Sequence, residues 1–101
     1  MVKHIVSWKF KAEVSAGERA RVAEEFARRL QAVKEVADGV LDVKVIVPPL
    51  STSTVDVVLD STFESEEALA AYQVHPDHVA AGAACVKPYM TDRVCCDYVL
   101  D

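Results

Sequence analysis

The sequence lacks paired cysteines, and its three cysteines fit neither a disulfide framework nor a zinc site. Cys85, Cys95 and Cys96 are odd in number and show no paired C-x-x-C spacing. On a strand, the adjacent Cys95 and Cys96 would point to opposite faces, so they could share neither a metal nor a disulfide. The pattern predicts a reduced, cytoplasmic protein without a bound metal.

Long apolar runs are also missing. No stretch approaches the roughly 20 apolar residues that a membrane-spanning helix requires. The opening residues alternate between apolar and polar, and they lack the continuous apolar segment of a signal peptide. We therefore expect no membrane partner.

Positive charge is in deficit, with 11 lysines and arginines against 16 acidic residues and a net charge of -5. The arginines of the first predicted helix are interleaved with glutamates, as in Glu24-Glu25 before Arg28-Arg29. Phosphate binding needs clustered cations, whereas a mixed-charge helix face is typical of a solvated surface. We therefore expect no nucleic-acid partner.

The 101 residues allow one hydrophobic core, so we expect a single domain over residues 1–101. The apolar pattern predicts its elements in order. The first strand alternates with a period of two, and its apolar face contains Val2, His4, Val6, Trp8 and Phe10. The first helix begins after Ser15, where Glu18 completes a capping box, and ends at Asp38-Gly39. Its apolar stripe contains Val22, Ala23, Phe26, Leu30, Val33 and Ala37.

The second half of the chain predicts three more strands and a divided helix. Apolar faces are predicted for the second strand (Leu41, Val43, Val45, Val47), the third (Val55, Val57, Leu59, Phe63) and the last (Val94, Cys96, Tyr98, Leu100). Ser65 caps the second helix, which breaks before Pro76 because a residue preceding proline avoids helical geometry. Pro76 then suits the first turn of another short helix.

The resulting order is β-α-β-β-α-β, which predicts an α+β protomer of the ferredoxin-like type with a four-stranded antiparallel sheet. We expect the more apolar face of each strand to pack on the helices. The opposite face is semi-apolar and has no helix left to cover it; it is predicted to contain Ile5, Ser7, Val58, Cys95 and Val99 among Lys9, Asp56 and Asp97. Such a face favours sheet-on-sheet pairing with a second copy, giving a homodimeric α+β barrel.

Three side chains are candidates for chemistry. His4 lies on an apolar face, where an imidazole either lines a cavity or bonds to a backbone carbonyl or to Tyr72, since burying it unpaired costs about 1–3 kcal/mol. His78 falls in the first turn after Pro76, where the helix dipole disfavours imidazolium and keeps a general base neutral. Alternatively, His75 and Asp77 only cap this helix while His78 packs. A metal site of His75 and His78 is not expected, because the proline breaks their register.

Four segments of the chain resemble the stress-responsive dimeric A/B-barrel (Dabb) family. They are Val2 to Lys11, Phe63 to Leu69, the run Tyr72-Gln73-Val74-His75-Pro76-Asp77-His78, and Lys87 to Val94. The resemblance implies two protomers whose sheets pair into a barrel, with a cavity between the sheet and the helices of each. It also implies that no cofactor is needed.

A plant branch of this family, the olivetolic acid cyclases, closes a polyketide ring by an aldol reaction. Its catalytic tyrosine and histidine match Tyr72 and His78, and its strand-one histidine matches His4. The resemblance implies a base in His78, a hydrogen-bond donor in Tyr72 and a positioning role for His4. Where the cyclase has a further pocket histidine, this chain has Val57, which makes the expected pocket more apolar. We predict that Trp8, Val57, Phe63 and Phe26 contact the ligand.

Three functions stay open at this point. The first is a Dabb homodimer with a small apolar pocket for a ligand, such as an aromatic carbonyl compound, and no assigned activity. The second is a cofactor-independent cyclase or isomerase that uses the Tyr72 and His78 pair. The third is a monooxygenase or haem-handling protein, since other dimeric α+β barrels carry out such functions, although a shared fold does not settle function.

Overall fold

The computed structural model describes residues 1–100 and shows the β-α-β-β-α-β order. The elements are β1 (Val2–Phe10), α1 (Ala16–Val36), β2 (Val40–Ile46), β3 (Val57–Phe63), α2 (Glu66–Val74), α3 (Pro76–Ala81), a π-helical turn (Gly82–Val86) and β4 (Met90–Val99). The strand order in the sheet is β2-β3-β1-β4, and every neighbouring pair is antiparallel. The ferredoxin-like α+β fold predicted from the sequence is confirmed.

The helices begin where local capping signals place them. The Ser15 hydroxyl accepts a hydrogen bond of 3.2 Å from the Glu18 N–H, and the Ser65 hydroxyl accepts one of 3.1 Å from the Ala68 N–H. Pro76 is the first residue of α3, as predicted. Within residues 1–100, none of the helices combines the length and the apolar character that crossing a membrane requires.

The core lies between one face of the sheet and the helices. The alternating residues of β1 and β3 are buried on this face, as their spacing predicts. The apolar stripe of α1 covers them with Val22, Phe26, Leu30 and Val33, all of which are buried. Since β1 is the central strand next to β3, its inward side chains lie directly beneath the helices and are positioned to form the wall of any cavity there.

The prediction for Leu41 is wrong. The pairing of β2 with β3 shifts register between Val40 and Asp42, which indicates a bulge at Leu41. The bulge turns Leu41 towards solvent, where 41% of it is exposed, and Val40 packs against the core instead. One extra residue in a strand turns the side chains on one side of the bulge to the opposite face of the sheet.

The predicted faces of β4 are also wrong, for the same reason. Met90 pairs with Phe10 and is buried, but the register with β1 then shifts, so that Asp92 and Arg93 together oppose Trp8. Asp92 adopts a left-handed φ of 55°, a conformation that asparagine and aspartate accept more readily than most residues. Beyond the bulge, odd-numbered residues face the helices: Cys95 is opposite Val6, Asp97 opposite His4 and Val99 opposite Val2.

The apolar residues of β4 therefore lie on the face that no helix covers. Val94 is opposite Ser7, Cys96 opposite Ile5 and Tyr98 opposite Lys3, which are all residues of the outward face of β1. Val94 is 62% exposed and Tyr98 is 45% exposed. The uncovered face is consequently more apolar than the sequence pattern predicts.

Candidate functional site

A pocket of about 260 Å³ lies between the inward face of the sheet and the segment formed by α3 and the π-helical turn. Its floor is apolar and buried, with Val6 and Trp8 from β1, Leu59 from β3 and Phe26 from α1. Val79 and Val86 close the side formed by the helical segment. A concave apolar site of this kind, with few polar groups, is typical of small-molecule binding.

The predicted site residues divide into two layers. His4, Trp8, Phe26 and His78 line the pocket. Tyr72, Val57 and Phe63 do not line it, and each is almost completely buried behind the lining. The Tyr72 ring connects the two layers. Its centroid lies 4.4 Å from that of His78, which lines the pocket, and 4.9 Å from that of Phe63, which does not.

His78 is held in one tautomer by the end of α2. Its Nδ1 lies 3.2 Å from the carbonyl oxygen of Gln73. A carbonyl oxygen can only accept, so Nδ1 carries the hydrogen and Nε2 keeps its lone pair. Burial lowers the pKa of His78, against a smaller opposing effect of the Gln73 carbonyl. The side chain is therefore neutral at pH 7, and Nε2 can accept a proton.

Tyr72 has a buried hydroxyl without a hydrogen-bond partner among the described residues. Burial raises the pKa of this phenol far above its usual value, so the group stays protonated and can only act as a neutral donor or acceptor. An unpaired buried hydroxyl costs free energy, and such groups occur where function requires them. Tyr72 stands next to the imidazole that carries the free lone pair.

Trp8 provides a second unpaired donor. Its indole ring packs edge to face on Phe26 with centroids 5.6 Å apart, and its Nε1–H is buried with no partner among residues 1–100. Trp8 also lines the pocket, so its ring forms part of the wall while this N–H stays buried and unpaired.

His4 bonds to Asp97, which the sequence pattern placed on the outward face of β4. Its Nδ1 contacts the Asp97 carboxylate, which is the cross-strand neighbour on β4. The Cys95 sulfur lies 3.8 Å from the same Nδ1. With Nδ1–H donated to Asp97, the His4 imidazole is fixed against the pocket wall. The bond also corrects the expected alternatives, in which His4 bonds to a backbone carbonyl or to Tyr72.

The ligand atoms of His4, Cys95 and Asp97 lie within 4.8 Å of one another, a spacing that a metal ion could bridge. The Asp97 carboxylate in this cluster contacts His4 Nδ1, and burial together with Asp97 raises the pKa of the Cys95 thiol. His75, the other candidate, uses its Nδ1 to accept the Asp77 N–H at 3.1 Å and thereby caps α3.

Sequence reasoning missed the amide and charged residues of the site and its immediate support, which are Gln73, Lys87, Arg93 and Asp97. Gln73 acts through its backbone carbonyl, which leaves no signal in side-chain identity. Arg93 and Asp97 reach this side of the sheet only because of the β4 bulge. A run of Thr91-Asp92-Arg93 between an inward Met90 and an apolar strand was the one local sign of an irregularity.

Comparisons with known proteins place the chain clearly. Residues 2–100 match the model of the stress responsive A/B barrel domain, Dabb. A dimeric protein of unknown function with a ferredoxin-like fold from Bacteroides fragilis NCTC 9343 is 28% identical, with 98% of this chain and 95% of that chain covered and a TM-score of 0.89. No curated protein matches the sequence.

Two further solved structures share the fold. A dimeric ferredoxin-like protein of unknown function from Thermobifida fusca YX is 23% identical over 98% of this chain and 90% of that chain, with a TM-score of 0.80. A Dabb family protein with a ferredoxin-like fold from Mesorhizobium loti is 21% identical over 98% of this chain and 95% of that chain, with a TM-score of 0.72.

Proposed function

The chain belongs to the stress-responsive A/B barrel (Dabb) family, and we propose that it is a homodimer that binds a small apolar or aromatic carbonyl compound in the pocket of each protomer. The observation that carries this proposal is the pocket of about 260 Å³ itself. Its floor consists of buried apolar side chains, while His4 and His78 supply polar groups to the lining. Convergence of a few polar groups in an apolar cavity is what fixes the orientation of a small ligand.

Trp8 makes the binding test specific, because it is the only tryptophan in the sequence and lines the pocket. Titration with alkyl and aryl ketones should produce a saturable change in its fluorescence. Ala83→Phe should abolish that change, because Ala83 lines the pocket and the larger ring would fill it. Ala84→Phe is the matched control, since Ala84 is exposed and does not line this pocket. Equal responses in both variants would refute binding at this pocket.

Several observations support the homodimer. The uncovered face of the sheet presents Ile5, Val58, Val94 and Tyr98, and the Bacteroides fragilis and Thermobifida fusca neighbours are dimeric. Burying a semi-apolar sheet face against its copy would remove this surface from water. Light scattering during size exclusion should give twice the monomer mass of 11.0 kDa.

A charge placed on that face tests which surface pairs. Val94→Glu should yield monomers, because the carboxylate would be buried between the two sheets. Val36→Glu is the control: Val36 is 61% exposed, a value close to that of Val94, but lies at the end of α1. If Val94→Glu stays dimeric, or if Val36→Glu dissociates the dimer, the proposed interface is wrong.

A proton-transfer reaction at a carbon beside a carbonyl is a second candidate, favoured by the His78 and Tyr72 pair. His78 is neutral, its Nδ1–H is directed to the Gln73 carbonyl, and its Nε2 is free to accept a proton. The Tyr72 phenol packs on the His78 ring and is protonated and unpaired. Because Tyr72 lies behind the lining, donation to a developing enolate oxygen requires the bound ligand to displace part of that lining. The proton would move from the carbon to His78 Nε2, and the electron pair would move onto the carbonyl oxygen.

This candidate can be tested without the natural substrate. Exchange of the acidic C–H of an alkyl β-diketone with deuterium oxide, followed by NMR, reports proton abstraction directly. The protein should accelerate exchange, and His78→Asn and Tyr72→Phe should each reduce the acceleration. Tyr89→Phe is the control, since Tyr89 lies outside the pocket lining. Normal exchange in both site variants would eliminate these roles.

A cytoplasmic location is proposed on the basis of the three cysteines, which are all free thiols in the structure. Cys95 and Cys96 are exposed, and exposed free thiols persist in a reducing compartment. Alkylation of thiols in intact cells, before lysis, should label Cys95, which is exposed and lies on the helix side of the sheet, away from the proposed dimer face. Protection of Cys95 or Cys96 by a disulfide would contradict this location.

A further inference from the structure

The rim of the pocket carries a charge opposite to that of the whole protein. The chain has a net charge of -5, yet the charged residues lining the pocket are Lys87 and Arg93, and no aspartate or glutamate of residues 1–100 joins them. Both cations are exposed, whereas the apolar floor beneath them is buried. The pocket thus changes from a dry apolar base to a cationic opening.

Neither cation is neutralised by a neighbouring carboxylate. No ion pair within the described part of the chain involves Lys87 or Arg93. Asp92, the nearest acid in sequence to Arg93, instead lies 3.9 Å from the Lys9 ammonium. A third cation is close by, because the Lys11 ammonium donates to the Lys87 carbonyl oxygen at 2.9 Å.

The β4 bulge is what brings Arg93 to the opening. Between the pairs Ser7–Val94 and Lys9–Thr91, Asp92 and Arg93 lie opposite the single residue Trp8, and Asp92 has a left-handed φ of 55°. As a result, Arg93 lines the pocket together with Trp8. Bulges commonly re-aim a side chain next to a functional site.

We propose that the natural ligand carries a carboxylate or an equivalent anionic head, which Arg93 and Lys87 hold at the rim while an apolar tail occupies the buried floor. The proposal rests on the ligand-binding function proposed above and specifies the chemical class of that ligand. The planar guanidinium of Arg93 suits two parallel hydrogen bonds to a carboxylate, and the Lys87 ammonium adds a second positive charge to the same lining. A positive rim on a negative protein also attracts anions selectively to this opening.

Three probes with the same alkyl chain separate the head group from the tail. Octanoate, octanamide and octylammonium differ in charge but share an apolar tail, and Trp8 fluorescence reports their binding. We expect the order octanoate, octanamide, octylammonium, from tightest to weakest. A charge-assisted hydrogen bond stabilises the complex more than a neutral one does, so octanoate should bind at least about tenfold more tightly than octanamide at low salt. Added salt should narrow this ratio, because the rim is exposed.

Substitutions assign the effect to residues. Arg93→Gln and Lys87→Gln should weaken octanoate and leave octanamide unchanged, whereas Lys34→Gln, a cation of α1 away from the pocket, should change neither. Urea denaturation of each variant checks that the fold is retained.

The possible failures are distinct. If octanamide binds as tightly as octanoate, or if Arg93→Gln and Lys87→Gln leave their ratio unchanged, the anionic head is refuted while the pocket function stands. If no probe of either this series or the ketone series changes Trp8 fluorescence, the ligand-binding function fails, and this inference fails with it.

Discussion

Replacing Tyr72 by phenylalanine is expected to stabilise the protein while it weakens proton transfer. The Tyr72 hydroxyl is buried and has no hydrogen-bond partner among the described residues, although the ring packs against His78 and Phe63. Phenylalanine keeps the ring and removes only the unpaired oxygen. An unsatisfied buried polar group costs about 1–3 kcal/mol, so the variant should gain about 1 kcal/mol in free energy of unfolding. For a domain of this size, that raises the melting temperature by about 4–8 °C.

The assay is urea denaturation at one fixed protein concentration, since dimerisation links stability to concentration. Tyr89→Phe provides a matched control, because the Tyr89 hydroxyl accepts a hydrogen bond of 3.1 Å from Arg21 at an exposed position. Losing that bond should leave stability unchanged or lower it by less than about 1 kcal/mol. If Tyr72→Phe is instead less stable than the parent protein, the hydroxyl has a native partner, and the interpretation of Tyr72 as a donor held for a ligand is refuted.

Three further perturbations test the local structure. Burial lowers the pKa of His78, so the unfolded chain binds a proton at this side chain more readily than the folded protein does. The free energy of unfolding should therefore fall as the pH drops below 6.5. Urea denaturation at pH 7.5 and 5.5 should show a smaller loss of stability for His78→Asn than for the parent protein. Gly39→Ala should destabilise by about 1 kcal/mol or more, because φ is 79° and the new Cβ would lie 2.6 Å from that of Ala68, whereas Gly17→Ala meets nothing within 4 Å and should not lower the melting temperature. Ser65→Ala should cost about 1 kcal/mol in the same melts through loss of the α2 cap.

The candidate site was only partly visible in the sequence. Alternation in β1, the apolar stripe of α1 and the Pro76 break are local features, and they place His4, Trp8, Phe26 and His78, which all line the pocket. Only the resemblance to the Dabb family grouped them as one site, and it also included Tyr72, Val57 and Phe63, which do not line the pocket. Their roles in ligand binding and catalysis stay predictions.

The residues that bond to these side chains could not be predicted from local spacing. Asp97 bonds to His4 across 93 positions of the chain, and this contact exists only when the register of β4 against β1 is known. The alternation of Val94, Cys96, Tyr98 and Leu100 as the predicted apolar face placed Asp97 on the outer face, so the bond was missed. The cationic rim was missed with it, since Arg93 lies within the same bulge.

The sequence by itself determined the fold, because its signals act between near neighbours. Ser15 and Ser65 cap their helices, Pro76 separates α2 from α3, and period-two alternation sets the buried faces of β1 and β3. Only the tertiary structure decided which way β4 faces. The extra residue in the bulge at Asp92 and Arg93 turns every later side chain of β4 to the opposite face of the sheet. The position of this bulge depends on the pairing of β4 with β1, a strand at the other end of the chain. The bulge exposes Val94 and Tyr98 on the open face and directs Arg93 and Asp97 to the pocket side, so the predicted dimer surface and the candidate site both depend on it.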